Sequence, residues 1–182
     1  MLRERHRPPH LYEPGATFFL TAHTYKAVPH FATDSRKTLL RDILNDTIAK
    51  CRIRLYCWVL LDNHYHFLLA APTQESAIVR FVRAFHSVSA IRVNKLDRTA
   101  GRRVWYQYWD RFPRTEARFW TYFNYIHQNP IKHGYVPKVG SVHEALVQYP
   151  FSSYHYYLRE YGEAFLTDLW QRYPVADYLQ FE

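Results

Sequence analysis

The chain has 182 residues, a formal net charge of +8 and 48% hydrophobic residues. Its two cysteines are too few for a disulfide framework or a cysteine-based zinc cluster. The longest apolar run, residues 55–61, is too short to cross a membrane, and the basic first ten residues lack the apolar core of a secretory signal.

These exclusions favour a cytoplasmic protein, and the length favours one domain, covering residues 1–182. The positive charge is uneven, because residues 1–149 carry 22 Lys and Arg against 11 Asp and Glu, whereas residues 150–182 carry 2 against 5. A basic body predicts a polyanion as partner. Some of the many aromatic rings could stack on unpaired bases, although most of them are expected to lie in the core.

Hydrophobic periodicity predicts alternating strands and helices along the chain. Residues 17–25 form a predicted strand, residues 34–50 a helix and residues 53–61 a second strand, which turns at Asp62 and Asn63 into a third strand. A helix is expected over residues 75–95, a fourth strand over residues 104–109, and a further helix after residue 115. This order predicts an α+β fold, with helices on one face of an antiparallel sheet.

The third strand carries two histidines separated by one residue, His64 and His66. Side chains alternate across a strand, so both imidazoles leave one face, whereas Tyr65 leaves the other and packs under the helices. Two adjacent imidazoles can supply half of the coordination shell of a divalent metal. The same pattern is also compatible with two ordinary strand histidines that bind no ligand.

The helix after residue 115 combines a core face with a polar stripe. Thr115 is a predicted N-cap, and Pro130 is expected to end or bend the helix at Asn129. Tyr125 and Asn129 lie one turn apart on one face, and the stripe continues backwards through Tyr122 and Arg118. Such a stripe has a function if it faces the two histidines. Each residue singly also fits an ordinary packing role.

Two motifs resemble those of a known family. The run from His64 to His66 resembles the His-hydrophobe-His (HUH) motif, and residues 125–136 resemble the tyrosine segment of single-tyrosine, IS200-like transposases. The resemblance is strongest to their branch associated with repetitive extragenic palindromes (REPs). Residues 109–111 and 149–154 match as well, so the resemblance runs from about residue 15 to residue 154. Asp62 and Phe151 depart from the family's usual Pro and Trp without touching the inferred chemistry.

The resemblance implies a ferredoxin-like sheet in an HUH-type catalytic domain, with residues 155–182 as a C-terminal tail. It implies that His64, His66 and Asn129 hold Mg²⁺ or Mn²⁺ and that Tyr125 is the nucleophile. The expected activity is the nicking and transfer of single-stranded DNA at palindromic hairpins, through a 5′-phosphotyrosine and without a nucleotide cofactor. The expected protein is a monomer or a homodimer that associates with the bacterial nucleoid and not with membranes.

Basic side chains are candidates for contacts to the DNA backbone. An ordinary solvated face explains several of them equally well. The candidates are Arg80, Arg83, Arg102, Arg103, Arg111 and Arg118.

Two other functions are compatible with the sequence. The chain could be a domesticated protein that binds hairpins without turnover, or a rolling-circle-type replication initiator. Retention of both histidines and the tyrosine argues against the first, and the small size argues against the second. The aromatic tail either packs on the sheet or lines part of the DNA path.

Overall fold

A computed structural model describes residues 17–71, 77–137 and 140–175. The basic N-terminal segment, the predicted start of the second helix at residue 75 and the last seven residues lie outside these ranges. In chain order the elements are β1 (Thr17–Thr24), α1 (Asp34–Cys51), β2 (Arg54–Leu60), β3 (His64–Ala70), α2 (Ala77–Leu96), β4 (Trp105–Arg111), α3 (Glu116–Lys132), α4 (Val142–Val147) and α5 (Tyr154–Arg172).

The four strands form one sheet in the order β2-β3-β1-β4, and all neighbours are antiparallel. The first six elements therefore follow the β-α-β-β-α-β order of a ferredoxin-like fold. This confirms the predicted α+β class and the antiparallel sheet. β3 lies in the interior of the sheet, which explains why nearly every residue of the histidine strand is buried.

The two faces of the sheet carry different helices. Tyr65 and Phe67 of β3 pack on Phe85 of α2, and α1 lies beside α2. On the opposite face, His66 packs on Tyr125 of α3. The prediction of helices on one face therefore holds for α1 and α2 but not for α3, because α3 also has an apolar stripe that needs cover.

α3 begins as the sequence predicts but ends later. The Thr115 hydroxyl accepts a hydrogen bond from the backbone N–H of Arg118, at 3.1 Å. Pro130 lies inside the helix, which continues to Lys132, so of the two predicted outcomes, an end or a bend at Asn129, the end is wrong. Proline removes only one N–H donor, and the next turn still closes, because the N–H of His133 bonds to the carbonyl of Asn129 at 3.0 Å.

The C-terminal segment packs against the edge of the sheet. Ser152 forms a β-bridge with Val59 of β2, and the Ser153 hydroxyl accepts a hydrogen bond from the Trp58 N–H at 2.9 Å. The same hydroxyl lies 2.8 Å from Nε2 of His127 on α3. This contact, the Ser153 clasp, ties the tail, the edge strand and the tyrosine helix together. None of the described helices is long and apolar enough to span a membrane.

Candidate active site

The two strand histidines lie side by side on the face that α3 covers. His64 pairs with His23 of β1, and His66 pairs with Thr21. The imidazole centroids are 5.2 Å apart, and the side chains are 4% and 0% exposed. Alternation along the strand therefore produces the shared face that the sequence predicts.

Asn63 fixes the orientation of the His64 ring. Its amide nitrogen donates to the carbonyl of Ala27 at 3.0 Å, which leaves its oxygen 2.7 Å from Nδ1 of His64. Nδ1 then carries the hydrogen, and Nε2 keeps its lone pair for a ligand. Burial lowers the pKa of His64 to about 2, helped by His23 and His133, so the ring is neutral at physiological pH.

His66 is the most unusual group in the site. Both of its ring nitrogens are buried, and neither has a hydrogen-bond partner within the described ranges. Burial holds the pKa of His66 well below its usual value, so this imidazole is also neutral. A buried polar group without a partner costs free energy, and in native structures it calls for a specific explanation, such as a bound ion.

The predicted nucleophile faces this histidine. The ring centroids of Tyr125 and His66 are 5.1 Å apart, and the rings meet edge to face at 76°. Phe19 of β1 stacks on Tyr122, with ring centroids 4.5 Å apart. We call the rings of Phe19, Tyr122 and Tyr125 the aromatic wall of the site. Tyr125 is fully buried, so the phenol of the predicted nucleophile does not face solvent. The helix stripe thus reaches the histidines but lies beneath the surface.

Asn129 is held in the same stripe, one turn after the tyrosine. Its amide nitrogen donates to the backbone carbonyl of Tyr125 at 3.0 Å. Its side-chain oxygen is buried and has no hydrogen-bond partner among the residues described. The amide also partly offsets the lowering of the pKa of His64, so the two side chains lie close together. An oxygen presented in this way is suited to a hard cation.

The buried atoms therefore fit a divalent ion held by two neutral imidazoles and one amide oxygen. Across residues 17–71, 77–137 and 140–175, no three His, Cys, Asp or Glu side chains form a group that could hold a metal. The candidate ligands are therefore a mixed set, His64, His66 and Asn129.

Three further side chains at the site were missed at the level of the sequence. His23 stacks on His64 with centroids 4.8 Å apart, and His133 meets the same ring at 4.7 Å. The ammonium of Lys132 lies 5.4 Å from the centroid of the Tyr125 ring. Only Lys132 had a signal in the sequence, because it follows Tyr125 by seven residues, or about two helical turns.

Two of the arginines predicted to bind DNA lie on the histidine side of the sheet. Arg111 pairs in register with Phe19, and directly opposite residues share a face. The guanidinium of Arg118 lies 5.1 Å from the centroid of the Tyr122 ring. Both are therefore near the aromatic wall of the site.

The other four arginines lie elsewhere. Arg80 and Arg83 are exposed on α2, which covers the opposite face of the sheet. Arg102 forms an ion pair with Asp97 at 2.5 Å, so it has a structural partner. Arg103 is exposed beside the start of β4 and lies over two tyrosine rings. The structure does not bring these four to the histidines.

Comparison with known proteins identifies a family and a related fold. The sequence model of a family described as IS200-like transposases matches residues 22–129, which is more than half of the chain. A REP-associated tyrosine transposase solved with a bound REP hairpin superposes with a TM-score of 0.65 at 18% identity, covering 86% of this chain and 87% of the other. A suspected transposase of Deinococcus radiodurans R1 has a TM-score of 0.46 at 20% identity, covering 71% and 95%. No curated protein sequence matches the chain.

Proposed function

Because this chain belongs to the family of IS200-like transposases, we propose that it nicks single-stranded DNA with Tyr125 and transfers the cut strand at palindromic hairpins. The observation that carries the proposal is the contact of Tyr125 with His66, whose buried ring nitrogens have no hydrogen-bond partner within the described part of the chain. A ligand between the imidazoles and the phenol would account for both features.

His64, His66 and the side-chain oxygen of Asn129 are the proposed ligands of Mg²⁺ or Mn²⁺. Both imidazoles are neutral, and the amide is oriented by the carbonyl of Tyr125. When bound, the ion would neutralise charge at the scissile phosphate and leave coordination positions for water and a phosphate oxygen.

Tyr125 supplies the attacking atom. Its phenolic oxygen forms a bond to the scissile phosphorus while the bond from phosphorus to the 3′-oxygen breaks. The phenol gives up its proton to solvent and the departing 3′-oxygen takes one up, so the step balances without a nucleotide cofactor. The products are a 5′-phosphotyrosine and a free 3′-hydroxyl, and a second 3′-hydroxyl joins a new strand by the reverse step.

Hairpin DNA is the proposed substrate. The solved relative that shares this fold is described as bound to a REP hairpin, and the excess of positive charge over residues 1–149 suits a polyanion. Arg111 and Arg118 are the basic side chains best placed to contact the backbone near Tyr125. One chain supplies both histidines and the tyrosine, so a monomer is sufficient. A protein with this substrate would work in the cytoplasm, at the nucleoid.

The full burial of Tyr125 supports a second candidate, a hairpin-binding protein without turnover. His66 and Asn129 are also inaccessible. A DNA strand can reach the phenol only after the side chains that cover it move. His133 and Lys132 lie at the outer rim of the site, between the buried groups and solvent. An enzyme therefore requires the site to open around Tyr125, whereas a protein that only binds hairpins does not.

A covalent-adduct assay separates the two candidates. Wild type and Tyr125→Phe are incubated with labelled single-stranded hairpins from the palindromes flanking the gene, with Mn²⁺ or Mg²⁺. We expect an adduct that survives SDS with the wild type only. Tight binding without an adduct or a nick in either metal would contradict the enzyme hypothesis and favour a protein that only binds hairpins.

A further inference from the structure

One cation lies in the site without a role in the chemistry described so far. Lys132 is the last residue of α3, and its ammonium lies 5.4 Å from the centroid of the Tyr125 ring. Its charge also lowers the pKa values of both His64 and His66, so it is close to all three groups. The side chain is partly exposed, unlike the buried groups beneath it.

The path of α3 explains this position. Because the helix continues through Pro130, Tyr125, Asn129 and Lys132 occupy positions i, i+4 and i+7 on one stripe. Helical side chains lean towards the N-terminus of their helix, so the stem of Lys132 points back over Asn129 towards the tyrosine. A helix ending at Asn129 would not have fixed this cation on the stripe.

The end of α3 disfavours an anion, so a positive side chain there would help a phosphate to bind. The last turn of a helix presents carbonyl oxygens and a partial negative charge, which repels an anion. Arg118 lies over Tyr122, one turn before the nucleophile, whereas Lys132 lies over the Tyr125 ring itself and is partly exposed, so it places a positive charge where a strand would arrive.

We propose that Lys132 is a further catalytic residue, which binds a non-bridging oxygen of the scissile phosphate and stabilises its charge during attack by Tyr125. This inference rests on the proposed function and deepens it. Lys132 forms no covalent bond and transfers no proton; it donates a charged hydrogen bond that strengthens as charge moves onto the phosphate oxygens. Lys132 lies three residues beyond the segment that matches the family model.

The competing explanation is packing alone, because an ammonium over an aromatic ring also stabilises the fold. Two variants separate charge from packing. Lys132→Met keeps an unbranched apolar stem over the ring but removes the charge, whereas Lys132→Arg keeps the charge. Lys50→Met is the matched control, since Lys50 is an exposed lysine in the last turn of α1.

The experiment measures single-turnover adduct formation and hairpin Kd for each variant with Mn²⁺. We expect Lys132→Met to slow adduct formation about 100-fold while the hairpin Kd changes little, in line with the loss of one transition-state donor. Lys132→Arg should recover most of the rate, and Lys50→Met should match the wild type. Thermal unfolding of each variant checks the fold, and Lys132→Gln replaces the Met variant if that one unfolds early.

The outcomes distinguish a failure of the proposed role of Lys132 from a failure of the proposed nicking activity. An adduct that forms with Lys132→Met as fast as with the wild type would overturn the role of Lys132 and leave the nicking activity intact. A slow Lys132→Arg variant, equal to Lys132→Met, would point to packing and also overturn it. No adduct with the wild type would overturn the proposed function itself.

Discussion

His66 and Tyr125 face each other between β3 and α3, with ring centroids 5.1 Å apart and both side chains fully buried. The histidine has no hydrogen-bond partner for either nitrogen among the described residues. The sheet and the tyrosine helix thus enclose a polar group at a cost in free energy, in the place where the proposed chemistry needs an available lone pair.

Replacing His66 should therefore separate stability from activity. We expect His66→Leu to abolish nicking but to raise the free energy of unfolding without metal by about 1 kcal/mol, because an unsatisfied buried group is removed. His64→Leu is the control, since its Nδ1 has a partner in Asn63 and should show no such gain. Urea unfolding measures both. A loss of stability in His66→Leu would contradict the conclusion that the buried nitrogens of His66 destabilise the fold without metal.

Asn63 should control the metal affinity without contacting the ion. Asn63→Ala removes the acceptor that orients the His64 ring, and we expect Mn²⁺ affinity to fall about 10- to 100-fold. Calorimetric titration with Mn²⁺ measures the change. The exposed Asn45 on α1 provides the matched control, Asn45→Ala. Unchanged affinity in Asn63→Ala would place the ion elsewhere.

The Ser153 clasp should matter for stability more than its single hydroxyl suggests. Ser153→Ala leaves the Trp58 N–H and Nε2 of His127 without their shared partner. We expect the free energy of unfolding to fall by about 1–3 kcal/mol, against less than about 0.5 kcal/mol for Ser87→Ala on the exposed face of α2. Equal effects in a denaturant titration would show that the clasp is not needed.

Asp97 should give the protein part of its stability at neutral pH. A hydrogen bond from Arg102 lowers the pKa of Asp97, burial opposes this, and Arg36 adds to the lowering. A carboxylate with a lowered folded pKa stabilises the fold above its unfolded pKa of about 3.9, and the contribution is lost as the pH falls through the folded pKa.

We therefore expect Asp97→Asn to cost about 1–2 kcal/mol at pH 7 and progressively less below about pH 4. Urea unfolding at several pH values measures the difference from the wild type. Asp46→Asn, at an exposed position of α1, should show almost no difference at any pH. A cost for Asp97→Asn that persists unchanged in acid would contradict the ion-pair explanation.

The position of the arginines relative to the sheet should decide their effect on DNA binding. We expect Arg111→Gln to weaken hairpin binding and to reduce the slope of log K against log salt by about one. Arg83→Gln, on the opposite face, should leave both quantities close to those of the wild type. Hairpin titrations at several salt concentrations measure both quantities. A larger effect of Arg83→Gln than of Arg111→Gln would indicate that the DNA binds on the α2 side of the sheet.

Local pattern was sufficient for most of the secondary structure and for the likeness to a family. The period of two around His64 and His66 fixes their common face, and the Thr115 cap fixes the start of the tyrosine helix. Of the end or bend predicted at Pro130, the end was wrong, because backbone bonding continues past the proline, where the His133 N–H bonds to the Asn129 carbonyl. The face that α3 covers was also undetermined, since an apolar stripe does not specify its partner.

The sequence by itself thus determined the fold class, the pair of strand histidines and the stripe of Tyr125 and Asn129, because these depend on short-range periodicity and on motif spacing. Only the tertiary structure decided that this stripe packs on the histidines, that His23 and His133 flank His64, and that Tyr125 is buried. Those facts depend on contacts between residues far apart in the chain, and such contacts are set by how whole layers pack rather than by local propensity.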